Sequence, residues 1–337
     1  MKEKVIMKDI AKDLNISIVS VSKALSGKDG ISDELRVKII NKANALGYRT
    51  SLTQKNNLLN NPIIGIIAPE YFFKGNQYYC DCFAEIVQLL EENQYSAILK
   101  IISHDEINNK DIPRMIENKL VDGIIFLAEI PSGYIENISK IAIPFLLFDF
   151  YCTDINTTSI VANNFLGTYE ITNFLINNGH SKIGFVGTIN ATKSISDRFL
   201  GYQKSLLEHS IGFNSDLIIK DRDDINTISN KLFKLPDNMP TAFVCNNDSS
   251  AFTFITFLEK NGYSVPKDVS IISFDNTKYS RITSPSITTY DTNIKNMSQA
   301  AVNKIIGFIK GENDIKEQIV VTGDIILRNS HRSLLLK

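Results

Sequence analysis

The chain has 337 residues with 43% hydrophobic and 22% charged side chains, enough apolar material for two or three globular domains with a large core. There is no apolar run at the N-terminus and no segment near the ~18 apolar residues of a membrane span, which argues against a secretory signal or an anchor and for a cytoplasmic protein. The net charge of −1 hides an asymmetry, because residues 1–60 carry 11 Lys/Arg against 6 Asp/Glu and the remainder 25 against 31. A basic head on an acidic body suits a head that meets phosphates. The four cysteines (Cys80, Cys82, Cys152, Cys245) are scattered. No His or Cys spacing suits zinc, so reduced thiols and no metal are expected.

Residues 10–26 read as two short helices joined by a tight turn. Ile10, Ala11 and Leu14 give the first an apolar face, and Asn15–Ser17 breaks the pattern. Ser17 stands where an N-cap belongs, and Val21, Ala24 and Leu25 form the inner face of the second helix. Ile18, Val19, Ser20, Ser22 and Lys23 are left facing outward. That surface suits a major groove, where apolar groups meet thymine methyls and Ser or Lys reaches phosphates or base edges. Two ordinary surface helices would share part of this pattern. After a Gly-rich loop, Ser32 begins a third helix with Leu35, Ile39, Ala43 and Leu46 at helical spacing and Gly47 as its stop. Ile18 and Val19 are expected to set base preference. Ser17, Lys23, Lys8, Lys28, Arg36 and Arg49 are expected to contact phosphates or bases.

Lys8-Asp9-Ile10-Ala11, Ser17 through Gly27, Leu35-Arg36-x-Lys38-Ile39 and Leu46-Gly47-Tyr48-Arg49 together resemble the headpiece of the lactose/galactose repressor family of bacterial transcription regulators. The resemblance implies a headpiece over 1–49 and a hinge over 50–61 that folds on operator DNA and wedges an apolar side chain into the minor groove. Here the usual Pro-Asn is Thr50-Ser51, and the wedge position falls on Asn57 with Leu58 one residue later. Either Leu58 serves in a shifted register or the hinge contact is weak.

From Ile63 the chain alternates strands with helices. Strands are expected at 63–68, 96–102, 121–127, 143–149, 158–162, 182–187, 242–245, 269–275, 286–290, 319–321 and 325–327. Helices are expected at 79–93, 110–119, 165–178, 194–210, 249–261 and 294–310. Repeated βα units at this spacing mean two doubly wound α/β subdomains. Asn178-Gly179-His180-x-Lys182-Ile183-Gly184, Ser196-x-Arg198-x-x-Gly201-Tyr202 and Pro240 through Asp248 continue the resemblance, as do Val265-Pro266-Lys267-Asp268-Val269-Ser270 and Phe274-Asp275-Asn276. It implies a periplasmic-binding-protein-like body over 62–337. That body has two lobes and three crossovers, with the lobe switch near 162 and 291 and a ligand cleft between the lobes.

Ligands in open α/β sheets bind beyond the carboxyl ends of strands. Those ends carry Tyr71-Phe72-Phe73, Asp149, Asn247 and Asp275, and Arg198 opens a helix turn. Carboxylates, amides and a guanidinium beside aromatics suit adjacent hydroxyls. Under the resemblance, Arg198, Asn247 and Asp275 match effector-contacting positions, Asp248 is expected to cap the following helix, and His180 is structural. The family's acid near 163–164 is Asn-Asn here, which removes an acidic hydroxyl acceptor and leaves the effector's identity open. No phosphate-binding loop, nucleophile elbow or metal-spaced His pair is present, which argues against an enzyme and against any cofactor.

The expected protein is a homodimeric repressor of carbohydrate genes that binds a pseudo-palindromic operator and is controlled by a sugar or sugar phosphate. The last residues hold no heptads, so a dimer is expected over a coiled-coil tetramer. The alternatives are a purine-responsive or protein-responsive regulator of the same fold, or a ligand sensor with weakened DNA binding.

Overall fold

A computed structural model describes residues 6–25, 30–32, 35–36, 38–39, 42–43, 61–73, 76–223, 226–312 and 316–335. The chain divides into two compact units, Met1–Asn61 and Pro62–Lys337.

In the first unit, α1 (Met7–Asp13) and α2 (Ile18–Leu25) are the two expected short helices, the first beginning three residues before Ile10 and ending just before Leu14. The Asp9 carboxylate accepts the Ile6 N–H at 2.7 Å, and Ser17 Oγ accepts the Ser20 N–H at 3.0 Å, so both helix starts are capped by side chains. The turn between them passes through Asn15 at φ 53°, a left-handed conformation that Asn tolerates. Residues 35–36, 38–39 and 42–43 are helical. Ile10, Ala11, Val21, Ala24, Ile39 and Ala43 close one small core, with Leu35 packed against it. Leu46, Gly47 and the whole hinge segment 50–60 lie outside the described residues.

The second unit holds two six-stranded sheets. The first contains β1 (Ile63–Pro69), β2 (Ser96–Ile102), β3 (Gly123–Leu127), β4 (Phe145–Phe148), β5 (Thr158–Ala162) and β11 (Gln318–Val321), in the order β11-β5-β4-β3-β1-β2. The second contains β6 (Ile183–Val186), β7 (Ile218–Ile219), β8 (Ala242–Cys245), β9 (Ser270–Phe274), β10 (Thr288–Asp291) and β12 (Asp324–Ile326), in the order β12-β10-β9-β8-β6-β7. The two orders are the same pattern, so β4 and β9 occupy equivalent places. All pairings are parallel except β10 with β12. Runs such as Gly123–Leu127 and Ser270–Phe274 are buried throughout because helices cover both sheet faces. Two apolar clusters flank each sheet.

The chain passes between sheets after β5, after β10 and after β11. At the last passage Gly323 leaves no room for a side chain, because a Cβ there would lie 1.6 Å from the Asp291 carbonyl oxygen, which belongs to the second passage. The crossovers are thus packed on one another, with the Gly323 N–H donating to the Tyr290 hydroxyl at 2.8 Å.

One expected helix is corrected. Residues 110–119 do not form a single helix; a capped turn over His104–Asn109 and a short one over Arg114–Glu117 replace it. Lys110 is left-handed at φ 58°, and Pro113 disfavours helical backbone at Ile112. The Ser103/Glu106 capping box starts the first turn. Short helices over Glu70–Phe73, Ser132–Ser139 and Lys278–Ile282, and the two-residue β7, were not expected.

Candidate functional site

The carboxyl ends of the two sheets face a shared cavity. From the first lobe, Phe72, Asn76, Tyr78, Tyr79 and Asp149 line it. From the second come Thr192, Ser194, Ile195, Arg198, Arg222, Asn246, Asn247 and Asp275. The space left for a water-sized sphere is about 30 Å³, room for one or two waters.

Asp149 and Asp275 follow β4 and β9, and they are held alike. The Asp149 N–H donates to Ile160 O and the Asp275 N–H to Tyr290 O, each at 2.8 Å across to the next strand. Both are left-handed, at φ 66° and 102°. Non-glycine residues in this region carry strain that is found preferentially at functional sites. Asp149 accepts from the Tyr79 hydroxyl at 3.0 Å and the Tyr78 hydroxyl at 3.4 Å. Burial pushes its carboxyl up to about 7; Arg198 pulls it down, and the Asp275 charge pushes it further up. Burial likewise raises Asp275, against the pull of Arg198.

Arg198 sits on α9 (Lys193–Glu208), which faces α8 (Asn164–Asn177). Its Nε donates to Asn164 Oδ1 at 2.8 Å and its Nη1 to Asn246 O at 2.5 Å. Its Nη2 lies 3.2 Å from Asp275 Oδ1, and the guanidinium covers the Phe274 ring at 3.9 Å. Asn164, the first residue of α8, therefore supplies a neutral acceptor that orients the arginine. The Asp275 contact has ion-pair distance without hydrogen-bond alignment, so Oδ1 is buried with no hydrogen-bond donor on it. Arg222 forks onto Asp221, with Nη2 2.9 Å from Oδ2, and also donates to Asn246 Oδ1 at 3.1 Å. Burial alone would raise Asp221, but the Arg222 charge and hydrogen bonds hold it below the usual carboxylate range.

Of the expected effector residues, Phe72, Asp149, Arg198, Asn247 and Asp275 meet at this cavity. Tyr71 and Phe73 do not line it. The Tyr71 hydroxyl faces Glu129 O at 3.5 Å, and the Phe73 ring packs edge-on against Phe83. Asn247 has a second task, because its Oδ1 accepts the Ser250 N–H at 2.8 Å as the N-cap of α10 (Asp248–Lys260). Asp248 is not the cap. It is a fully buried strut that accepts from the Thr289 hydroxyl at 2.7 Å, the Thr277 N–H at 2.6 Å and the Ser273 hydroxyl. His180 is structural, tied to Thr241 Oγ1 and Arg332 O at 2.8 and 3.0 Å. Tyr78, Tyr79, Asn246 and Arg222 were missed. Asn246 stood beside a chosen residue, but Arg222 lies in a stretch with no periodicity.

On the headpiece, Ile18 and Val19 are 47% and 64% exposed. Such branched side chains normally find a core, so their exposure points to a face made for contact. Lys8, Ser17 and Ser22 are exposed, and Ser20 and Lys23 half-buried. Ser17 and Ser20 share a hydroxyl contact at 2.9 Å. Arg36 Nη1 donates to the Lys23 and Ala24 carbonyls at 3.4 and 3.3 Å, which satisfies the C-terminus of α2. Lys28, Arg49 and Leu58 lie outside the described residues.

The family model of the periplasmic binding protein-like domain matches residues 172–331. The ribose operon repressor of Haemophilus influenzae is 27% identical over 332 residues, covering 97% of this chain and 99% of its own. A transcriptional regulator solved as its cellobiose complex, CelR, covers 97% of this chain and 100% of its own with TM-score 0.68 at 16% identity. The lac repressor dimer, solved bound to operator and the anti-inducer ONPF, covers 98% and 100% with TM-score 0.67 at 18% identity. Headpiece motif and a matched length from end to end make the chain similar throughout to bacterial transcription regulators such as the ribose operon repressor, its twin sheets with three crossovers share the fold of the lac repressor, and residues 172–331 form a periplasmic binding protein-like domain.

Proposed function

We propose that this chain represses carbohydrate-metabolism genes as an operator-binding homodimer in the cytoplasm, and that a sugar-class effector bound between its lobes sets its DNA affinity. One observation carries the effector reading. Asp275 Oδ1 is buried without a hydrogen-bond donor, beside an arginine fixed on three edges and facing Asp149 of the other lobe. A hydroxylated ligand supplies the missing donors, and the arginine fork supplies donors to its oxygens. Asp149, Arg198, Asn247 and Asp275 are assigned to the effector, and Ser17, Ile18, Val19, Ser20, Ser22 and Lys23 to the operator.

The control is linkage between two binding events. The lobes are clasped by Glu129, which accepts from the Lys193 N–H at 2.8 Å and pairs with its Nζ at 3.1 Å, and by the Tyr151 hydroxyl donating to Asp197 at 3.4 Å. With about 30 Å³ between them, the lobes must part to admit a ligand and then settle around it. An effector shifts DNA binding only by its preference for one lobe arrangement, which alters the spacing of two headpieces on a pseudo-palindromic site.

A thermal-shift screen of the purified chain against sugars and purines, followed by mobility shift on DNA selected from a random pool, tests this. A sugar is expected to raise the melting temperature and change DNA affinity, and Asp275→Ala to abolish both effects while DNA binding persists. A purine response without a sugar response, or a sugar response untouched by Asp275→Ala, refutes the reading.

A further inference from the structure

The geometry points to an uncharged polyol as the effector, with sugar phosphates and sugar acids excluded because the protein's own carboxylates already pair both arginines that line the cavity. This deepens the reading above and rests on it.

A bound phosphate or carboxylate needs an arginine fork, a lysine or an open helix N-terminus. The only cations lining the cavity among the described residues are Arg198 and Arg222. Arg222 is forked onto Asp221, and Arg198 is paired with Asp275 and spread over Phe274. Two helices begin at the cavity, and each first turn already donates to protein side chains. On α9, Thr192 Oγ1 accepts the Ile195 N–H at 3.2 Å and the Glu129 carboxylate accepts the Lys193 N–H. On α10, Asn247 caps the Ser250 N–H, and the Asp248 carboxylate is built into the first turn. Lys193, the nearest lysine in sequence, is the one paired with Glu129.

Asp149 then adds a carboxyl with no cation of its own, held by two tyrosine hydroxyls. Two arginines therefore face three carboxyls, and nothing positive is left over. The raised affinity of Asp149 and Asp275 for protons has the same origin: burial, aggravated by negative charge nearby. A phosphoryl group would meet those two carboxyls in a closed, poorly screened space, where like charges repel most. Hydroxyls have the opposite relation to the site. Each donates to a carboxylate and accepts from the guanidinium, so a diol satisfies Asp275 Oδ1 without adding charge.

The test is isothermal titration of the full chain with neutral sugars, each beside its phosphate and its uronic acid: ribose with ribose 5-phosphate, glucose with glucose 6-phosphate and glucuronate. The expected result is a neutral sugar that binds at least about a hundredfold more tightly than its charged partner. At pH 8, above the value to which burial raises Asp149, Asp149→Asn keeps the shape and removes one negative charge, and it should narrow that gap about tenfold or more. A phosphate or uronate that binds as tightly as its neutral parent overturns the proposal and leaves the cleft reading intact. So does a gap that Asp149→Asn leaves unchanged, because the discrimination would then be steric. If no member of the panel binds, the sugar-effector reading itself falls, and the proposal falls with it.

Discussion

Gly201 holds the helix that carries Arg198 in place without lining the cavity. A Cβ at this position would lie 2.1 Å from the carbonyl oxygen of Phe165 and 3.0 Å from the Tyr169 nitrogen. Both neighbours are backbone of α8, so neither swings aside, and Gly201→Ala must push α8 and α9 apart by roughly 1 Å. Overpacking of this kind costs about 1–3 kcal/mol. The upper end applies here, offset by the ~1 kcal/mol that alanine gains over glycine inside a helix. The net loss is about 2 kcal/mol, or a fall of roughly 3–4 °C in melting temperature for a body of this size. Arg198 lies one turn before Gly201 on the same helix face, and its partner Asn164 precedes Phe165. The same separation therefore stretches the 2.8 Å contact from Arg198 Nε to Asn164 Oδ1. Hydrogen bonds to charged groups are worth about 1.5–3 kcal/mol, so effector affinity should fall tenfold or more. Differential scanning calorimetry and titration of the effector on one preparation measure both effects. Gly212→Ala, where a Cβ meets nothing within 4 Å, is the control. A melting temperature within about 1 °C of the parent would refute the close approach. A large fall with unchanged affinity would refute the link to Arg198.

Further outcomes follow from the same geometry. Burial raises Asp149 to about 7 from an unfolded value of about 3.9. Its stabilising share is therefore full below pH 4 and is lost as pH climbs through 7, by on the order of 4 kcal/mol. Buried His180 and half-buried His331 have lowered values, and they act in the opposite direction below about pH 6.5. The readout is thus the stability of the parent minus that of Asp149→Asn, from urea unfolding between pH 4.5 and 8. A difference that does not change with pH would refute the burial argument. Arg36→Ala should lower headpiece stability by about 1 kcal/mol, through the carbonyls it leaves at the end of α2, and spare the salt dependence of DNA binding. A salt slope reduced by about 1 would instead make it a phosphate contact. Exchanging Ile18 or Val19 for polar residues should change which operators are selected, whereas Lys28→Ala should weaken all of them alike. Equal, sequence-independent losses from both would remove α2 from base readout.

The sequence made the fold legible because its signals are local. A buried parallel strand is a short apolar run, and Gly123–Leu127, Ala242–Cys245 and Ser270–Phe274 fall within two residues of expectation. The strand-end acids followed from topology alone, since Asp149 and Asp275 each end such a run. Partners supplied by other elements were hidden. Tyr78 and Tyr79 fall at the start of the helix expected over 79–93, and nothing local marks them as donors to a carboxylate some 70 residues away. Asn164 read as a lost acid, because an orienting amide and a missing carboxylate look alike until the Arg198 contact is seen. The expected helix over 110–119 failed because Pro113 disfavours helical backbone at Ile112 and starts a new, short helix at Arg114.

The twin lobes explain how one cleft reports its occupancy. Each lobe offers the same element: a strained acid after the equivalent strand, tethered by its N–H to the neighbouring strand at 2.8 Å. Arg198 belongs to one lobe and is rigid there, so its charge offsets Asp275 permanently and Asp149 only when the lobes are together. Without a ligand, closure brings two carboxyls into one dry space at the expense of proton uptake or repulsion. A ligand whose hydroxyls donate to both acids removes that expense and adds bonds that exist only in the closed arrangement. The preference for one lobe arrangement, which any effector must have to move the headpieces, thus arises from Asp149, the acid facing the arginine-bearing lobe, rather than from the arginine itself. By this reasoning Asp149→Asn should weaken the coupling between effector and operator more than it weakens effector binding. Operator affinity measured with and without saturating effector separates the two. Equal loss of binding and coupling would place the lobe preference in the interlobe clasp of Glu129 with Lys193 instead.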